Sequence, residues 1–531
     1  MRIRLLLLGF FQSLHFLLLA QAGSLDASFS TDGKVQTPLG ISSDAGPVAI
    51  QPADQMIVVA ASYRPNSSSN GTFAVLRYTT AGSLDNGFGS GGVTTINLEP
   101  NGATPWAIAV QPDGKILVAG TSYSQFSPVI PTLVLVRLTK QGLIDPMFNG
   151  GIIELAGYTG SAMTLQSNGS ILVAGQYPVP GSTTGKSELG IVCYTPNGVL
   201  DTRWGSGGKL LTDAGGSLNI ASGIAVTPGG KVVVTGFRDY TSVVCAQYSS
   251  TGVLDNGFGA GGLVEFGVGS QDRLQTTGMT LQADGKILIS GTFLSNNSKP
   301  EFLVCRLGIT GTLDNTFAGN GKQAVVFLKS SYGGGIVCQP DGKIVVAGYS
   351  QPSDVSQGQW AICRLDKLGN LDNTFGSGGE VLANWPGSDD VASGVALQAD
   401  GRIVVGGFAG NDQTNTGQMG VMRFLGKSVG QSAITAATDS VLSKPGFSSD
   451  IVAGIKLYPN PATSQLRVTG LPTDGPVLLT VTDLAGNTVL QQRSGDGSVL
   501  LDISRLAPAS YVLTIAGKTT RRSLPFVKAA R

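Results

Sequence analysis

Three observations in the sequence predict an all-β protein: a composition rich in turn formers and poor in charge, a three-point motif that recurs seven times at even spacing, and a hairpin signature in step with it. The expected architecture is a seven-bladed β-propeller with about 58 residues and four strands per repeat. A linker and a small C-terminal β-sandwich complete the chain. Of 531 residues 76 are Gly and 25 Pro, while charged residues make up 13% against about 25% in an average domain. Hydrophobic residues at 41% suffice for a large core, and a net charge of +1 offers nucleic acid no electrostatic attraction.

Residues 1–22 read as a signal peptide. Arg2 and Arg4 form a positive start, Leu5 to Leu19 is mostly apolar, and Ala20-Gln21-Ala22 supplies small residues for cleavage after Ala22. The apolar run is shorter than a comfortable span of about 20 residues and no other stretch comes close, so no transmembrane segment is expected in the mature chain. His15, the one histidine, would leave with the signal. Ser-His-Asp triads, Cys-His dyads, histidine zinc sites and histidine bases are thereby excluded, and no catalytic residue, metal or cofactor is expected.

Residues 23–425 are organised by repetition. The motif aspartate falls at Asp26, Asp85, Asp145, Asp201, Asp255, Asp314 and Asp372. Three residues before each stands a glycine (Gly23, Gly82, Gly142, Gly198, Gly252, Gly311, Gly369), and three after each an aromatic (Phe29, Phe88, Phe148, Trp204, Phe258, Phe317, Phe375). In phase with it, two Val/Ile-rich runs flank a turn at Asp113-Gly114, Asn168-Gly169, Gly229-Gly230, Asp284-Gly285, Asp341-Gly342 and Asp400-Gly401, degraded to Asp54-Gln55 in the first copy. Such dipeptides tolerate the positive φ of a tight hairpin, so each repeat has a central β-hairpin. Two more strands follow, one after the glycines, as in Val93 to Leu98, and one ending in Val75 to Tyr78 and its counterparts. A β-solenoid or an open array of small sheets would satisfy the same pattern; the ring is preferred because it leaves only short, protected edges. The repeat begins at Gly23 and the seventh copy stops at Leu425, so an N-terminal piece is expected to complete the last blade.

These residues carry a resemblance. Gly-x-Leu-Asp-x-x-Phe-Gly-x-Gly-Gly paired with Gln-Pro-Asp-Gly-Lys-Ile-Leu-Val-Ala-Gly resembles the delta-60 repeat family of secreted bacterial proteins over residues 23–425. Departures are Gln55 for the turn glycine, Trp204 for the aromatic, and a loop one residue short near Gly150 and Gly151. The resemblance implies a fold and a secreted location and leaves activity open.

Residues 426–454 are mostly small and polar and read as a flexible linker. Residues 455–531 open with Leu457-Tyr458-Pro459-Asn460-Pro461 and continue through Val477 to Val481, Asp483 to Gly486, and the strand from Tyr511. This module resembles the type A C-terminal sorting domain of the type IX secretion system of Bacteroidota. Its motif residues here are Tyr458, Pro459, Asn460, Pro461, Asp483, Gly486 and Tyr511, with Ala509 where the family usually has glycine. The resemblance implies periplasmic transit, partnership with the secretion machinery through 455–531, and release or attachment at the outer surface.

Among candidate residues, the seven aspartates are expected to cap their own turns, since no copy has the spacing of a calcium loop. Arg77, Arg137, Arg306, Arg364 and Arg423 share one strand position and are expected to be structural. Five cysteines, an odd number, argue for free thiols over a disulfide framework. Dissimilar loops gather on one face, each beginning near an aromatic: Tyr63, Tyr123, Tyr177, Phe237, Phe293, Tyr349 and Phe408. Such a ring could stack on sugars or peptide side chains, or simply pack between blades. The expected function is an exported, surface-attached or released, non-enzymatic propeller that binds extracellular polysaccharide or a cell-surface protein. The alternatives are a polysaccharide-active hydrolase or lyase, for which Glu154, Glu265, Glu380 and Asp389 are available, and a structural surface component.

Overall fold

A computed structural model of the chain describes residues 21–427, apart from 41, 65–70, 99–101, 124–129, 180–181, 183–184, 268–272, 295–298, 353–356, 387 and 412–415. It also describes residues 456–528, apart from 459–463, 470, 472–474, 483–487, 496, 508 and 518–520. The chain divides into two compact units, Met1–Ala433 and Ile434–Arg531. The described residues contain strands and turns and no helix, hence none long and apolar enough to cross a membrane.

In the first unit the described residues form seven four-stranded antiparallel sheets. The first runs Ser42–Ile50, Ile57–Arg64, Thr72–Tyr78, Val93–Ile96, and the next five repeat this order. Their leading strands are Gly102–Val110, Ala162–Leu165, Asn219–Val226, Arg273–Leu281 and Ser330–Cys338. The seventh, Asp389–Leu397, Ile403–Asn411 and Thr416–Phe424, takes its fourth strand from the start of the chain. Lys34–Pro38 pairs with Thr416–Phe424, Lys34 opposite Met422 and Pro38 opposite Gln418. Each leading strand packs on the leading strand of the next sheet, and Asp389–Leu397 on Ser42–Ile50. The leading strands are therefore innermost, which sequence spacing alone does not fix, and the fold is a β-propeller.

The middle strands show why the sequence reads as continuous apolar runs. Ile57 to Ala61 and Phe73 to Leu76 have no exposed surface, because both faces of their sheet are covered by neighbouring sheets. One cluster joins Val58 and Val75 of the first sheet to Val118 and Val136 of the second. The hairpin glycines sit at φ of 80–89°. Gln55 adopts φ 61° in their place, and its side chain does what glycine cannot: its Oε1 accepts from Ala399 N–H (2.6 Å), tying the first sheet to the seventh.

The three-point motif proves to be a lock between sheets. Asp85 Oδ1 accepts from the backbone of Gly87 (3.0 Å), while Oδ2 accepts from Arg77 Nε (2.7 Å). The Arg77 guanidinium lies 4.6 Å from the Phe88 ring centre and donates to Lys140 O in the next connector. The same assembly recurs with Arg137, Arg306, Arg364 and Arg423, the last reaching across the chain ends to Asp26 (2.8 Å). Gly142, at φ 80°, rests on the aromatic of the preceding repeat; a Cβ there would come within 2.8 Å of Phe88. Cys193 and Gln247 occupy the arginine position in the third and fourth sheets. Asp201 there pairs with Arg203, whose side chain is 85% exposed, and Asp255 with Lys231.

The second unit has two sheets. Lys456–Tyr458, Gln465–Thr469 and Ser498–Asp502 form one; Thr488–Ser494, Val477–Thr482, Ala509–Ala516 and Arg521–Lys528 form the other. Leu466, Val468 and Leu501 pack on Val477, Leu479, Val481, Leu513 and Ile515 in one core. Tyr511 is buried and its hydroxyl donates to Ala507 O (2.9 Å). Tyr458 lies in a strand, whereas Pro459, Asn460, Pro461, Asp483 and Gly486 lie outside the described residues.

Burial alone would raise the Asp372 carboxyl, but hydrogen bonds from Lys343 and Thr374 and the Arg364 charge outweigh it and hold it far below the usual carboxylate range. Its contribution to stability is therefore complete above about pH 4 and is lost as acid protonates the folded state. Asp372→Asn leaves buried Arg364 uncompensated and is expected to cost about 3–5 kcal/mol in denaturant unfolding at neutral pH. Asp201→Asn, which frees an exposed arginine, is expected to cost under about 1 kcal/mol.

Candidate functional site

Antiparallel order sends the hairpin turns and motif connectors to one end of the propeller and the dissimilar loops to the other. The seven candidate aromatics lie at that loop end, near the close of each second strand. Tyr123 is 48% exposed and Phe237 is buried against Tyr240, 4.9 Å between ring centres. Tyr63, Tyr177, Phe293, Tyr349 and Phe408 are half-buried. Tyr177 tilts onto Tyr158 at 4.4 Å, and Phe408 O accepts from Trp360 Nε1 (3.2 Å). The seven do not share one strand position: Phe237, Tyr349 and Phe408 directly follow Gly236, Gly348 and Gly407, Tyr63, Tyr177 and Phe293 stand two after Ala61, Gly175 and Gly291, and Tyr123 stands three after Gly120, so they face different sides of their sheets.

One group converges where the sixth sheet meets the seventh. Tyr349 and Tyr332 oppose each other across Ile344–Gln351 and Ser330–Cys338, with rings 4.7 Å apart and 14° from parallel. Asp389 opens the innermost strand of the seventh sheet, and its Oδ1 accepts from Gly358 N–H (2.6 Å). Burial, then the charges of Tyr332 and Asp389, push the Tyr349 hydroxyl up to about 12, so it is a neutral donor. Asp390 is fully buried, with Oδ2 accepting from Trp385 N–H (2.8 Å) and Oδ1 unpartnered. Trp385 stands edge-on to buried Trp360 at 5.2 Å. Two stacked phenols beside a carboxylate are suited to a ring with an apolar face and hydroxyl edges.

Trp106 escapes the repeat comparison. Pairing slips between Pro105 and Ala107, and the bulged Trp106 is 54% exposed on an innermost strand. Matching slips place Ser222, Thr277 and Ser393 at the same level of their sheets. Ser222 Oγ and Thr276 Oγ1 share a hydrogen bond (2.7 Å), and Thr277 Oγ1 donates to Gly334 O (2.8 Å). The legible signal was Pro105-Trp106, which interrupts an otherwise small, apolar strand.

The other candidates disperse. Glu154, Glu265 and Glu380 sit on the fourth strands of the second, fourth and sixth sheets, away from Asp389. Cys193, Cys245, Cys305 and Cys363 are free and buried, and burial pushes the thiols of Cys193, Cys305 and Cys363 up to about 12. A groove of about 690 Å³ between the fifth and sixth sheets, at the hairpin end, exposes part of Cys338 beside Gln282, Arg306 and Lys367.

Residues 53–88, 111–148, 166–203, 282–317 and 339–375 match the model of the domain of unknown function (DUF5122) beta-propeller, and residues 456–528 that of the secretion system C-terminal sorting domain. The two unmatched repeats are the fourth, which carries Gly229 in its turn and Gln247 at the arginine position, and the seventh, whose halves come from opposite ends of the chain. No curated protein matches the sequence significantly. Among solved structures, a protein of unknown function from Dyadobacter fermentans is 14% identical, with 74% of this chain and 98% of that one covered and a TM-score of 0.41. Native arabinanase from Bacillus subtilis is 11% identical over 49% of this chain and 91% of that one, with a TM-score of 0.28. A protein of unknown function from Bacteroides thetaiotaomicron is 9% identical over 76% and 93%, with a TM-score of 0.31.

Burial pushes the Asp390 carboxyl up to about 6 against the hydrogen bonds from Trp385 and Ser388. The folded state then holds a proton that the unfolded chain has released, and stability falls as pH rises from about 4 to about 6. Asp390→Asn is expected to remove that slope in denaturant midpoints measured across this window.

Proposed function

On the premise of a chain that carries DUF5122 β-propeller repeats and ends in a secretion system C-terminal sorting domain, we propose a non-enzymatic propeller that binds extracellular carbohydrate at its loop end. The sorting domain supports export toward the outer membrane or cell surface, and it implies interaction with the type IX machinery. Loss of an N-terminal leader on the way, and attachment or release at the surface, belong to the same proposal. The observation that carries the binding reading is the parallel Tyr332–Tyr349 pair beside Asp389. A pyranose or furanose can lay its C–H face on the phenols while the carboxylate accepts from its hydroxyls. A protein partner would use the same aromatics through a proline or aliphatic side chain.

A hydrolytic reading has one specific support: neighbouring carboxylates in unlike environments, with Asp390 raised to about 6 and Asp389 on the same innermost strand. Separated environments are how acid and base roles are assigned. New reducing ends that disappear in Asp389→Asn and Asp390→Asn would favour it.

Tyr332→Ala and Tyr349→Ala are each expected to weaken retention on a bound polysaccharide about tenfold, the equivalent of about 1.4 kcal/mol. Affinity electrophoresis of the full chain measures this, with the unfolding midpoint as control. Unchanged mobility of the double variant, still folded, would sink the assignment.

A further inference from the structure

The connector before each motif glycine is a four-residue turn. In the first sheet it is Thr79-Thr80-Ala81-Gly82. Thr79 N–H donates to Ser83 O (2.8 Å), Gly82 N–H donates to Thr79 O (3.0 Å), and Thr80 O accepts from Arg423. Ala81 O accepts from Ser30 N–H of the preceding connector (2.8 Å). In the seventh sheet the same four places are filled from two distant parts of the chain. Leu425 stands for Thr79, donating to Ser24 O (2.9 Å) and accepting from Gly23 N–H (2.7 Å). Gly426 stands for Thr80, its O accepting from Arg364. Ala22 stands for Ala81, its O accepting from Gly376 N–H (2.8 Å). The spliced turn has no residue missing and none to spare.

The bond that Ala22 O makes is the regular one between consecutive connectors. It recurs at Gln141 (2.7 Å), Thr251 (2.9 Å), Thr310 (2.8 Å) and Leu368 (2.6 Å). Ala22 is 2% exposed and packs in the cluster of Trp360, Phe375 and Phe424. Gln21 adds Nε2–H to Gly376 O (2.9 Å). A cut after Ala22, the position favoured by Ala20-Gln21-Ala22, would deprive Gly376 N–H of its acceptor and open a hole in that cluster. It would also set the new Gly23 ammonium at Leu425 O.

We infer that Ala22 is retained in the exported protein, and that the leader is removed on the N-terminal side of Gln21. The inference rests on the export reading of residues 1–22. Ala22 is then a structural residue that joins the sixth connector to the seventh.

The test is the N-terminal sequence and intact mass of the chain recovered after export from its own host, together with two leader-free full chains that begin at Gln21 and at Gly23. An N-terminus at Gln21 or earlier but past Met1 supports the inference; an N-terminus at Gly23 overturns it. A chain that keeps Met1 contradicts the export reading instead, and the paired chains then decide the seam alone. The Gly23 chain is expected to melt lower, by on the order of 2 °C, and to lose hydrogen-exchange protection at Gly376. Equal midpoints with Gly376 still protected overturn the role of Ala22.

Discussion

The fold depends on a buried ion pair that has to work between sheets. Each four-stranded sheet is covered on both faces, so the centres of its middle strands are apolar, as at Ile57 to Ala61 and Phe73 to Leu76, and offer no direction to the neighbouring sheet. In five of the seven sheets direction comes from the connector end, where a motif aspartate, a strand arginine and a motif aromatic stack in order and the arginine reaches the backbone of the next connector; in the third and fourth, Asp201 and Asp255 pair instead with Arg203 and Lys231. Desolvating both charges is costly, and it is offset only when every remaining lone pair and N–H finds a partner. Asp372 meets that condition through Arg364, Lys343 and two bonds from Thr374. The motif glycine is the steric side of the same device, since a Cβ at Gly142 would strike the Phe88 ring.

The repeat was legible because this lock needs a fixed spacing within each copy. Asp85 and Phe88 must be three residues apart for the turn to bring the ring under Arg77, and that regularity is visible in a single sequence. The completion of the seventh sheet was legible for a similar reason: the motif began at Gly23 and stopped at Leu425, and Lys34–Pro38 fills the gap. The innermost strand was not legible, because all four strands of a repeat pair in the same way locally and only the packing of one repeat on the next separates them.

The site was less visible for the same reason that the repeat was clear. Comparison of copies picks out what recurs, and it returned Tyr349 as one of seven aromatics although its environment is its own. Tyr332, its partner, holds a place where the other copies differ, so no recurrence marked it. Trp106 sits at a bulge, which breaks the alternation on which strand reading relies. Phe237 shows the converse: it holds the same strand position as Tyr349, directly after the strand glycine, yet its ring is spent on packing against Tyr240.

What remains is the character of the loop end, with the tyrosine pair arguing for recognition and the Asp389–Asp390 neighbours for chemistry. The most direct test is to pass the purified full chain over immobilised bacterial, algal and plant polysaccharides and to follow retention and new reducing ends in the same samples. Retention on at least one polysaccharide without product is the predicted result. Product released in step with retention would contradict the central claim and make the carboxylates, not the tyrosines, the functional centre.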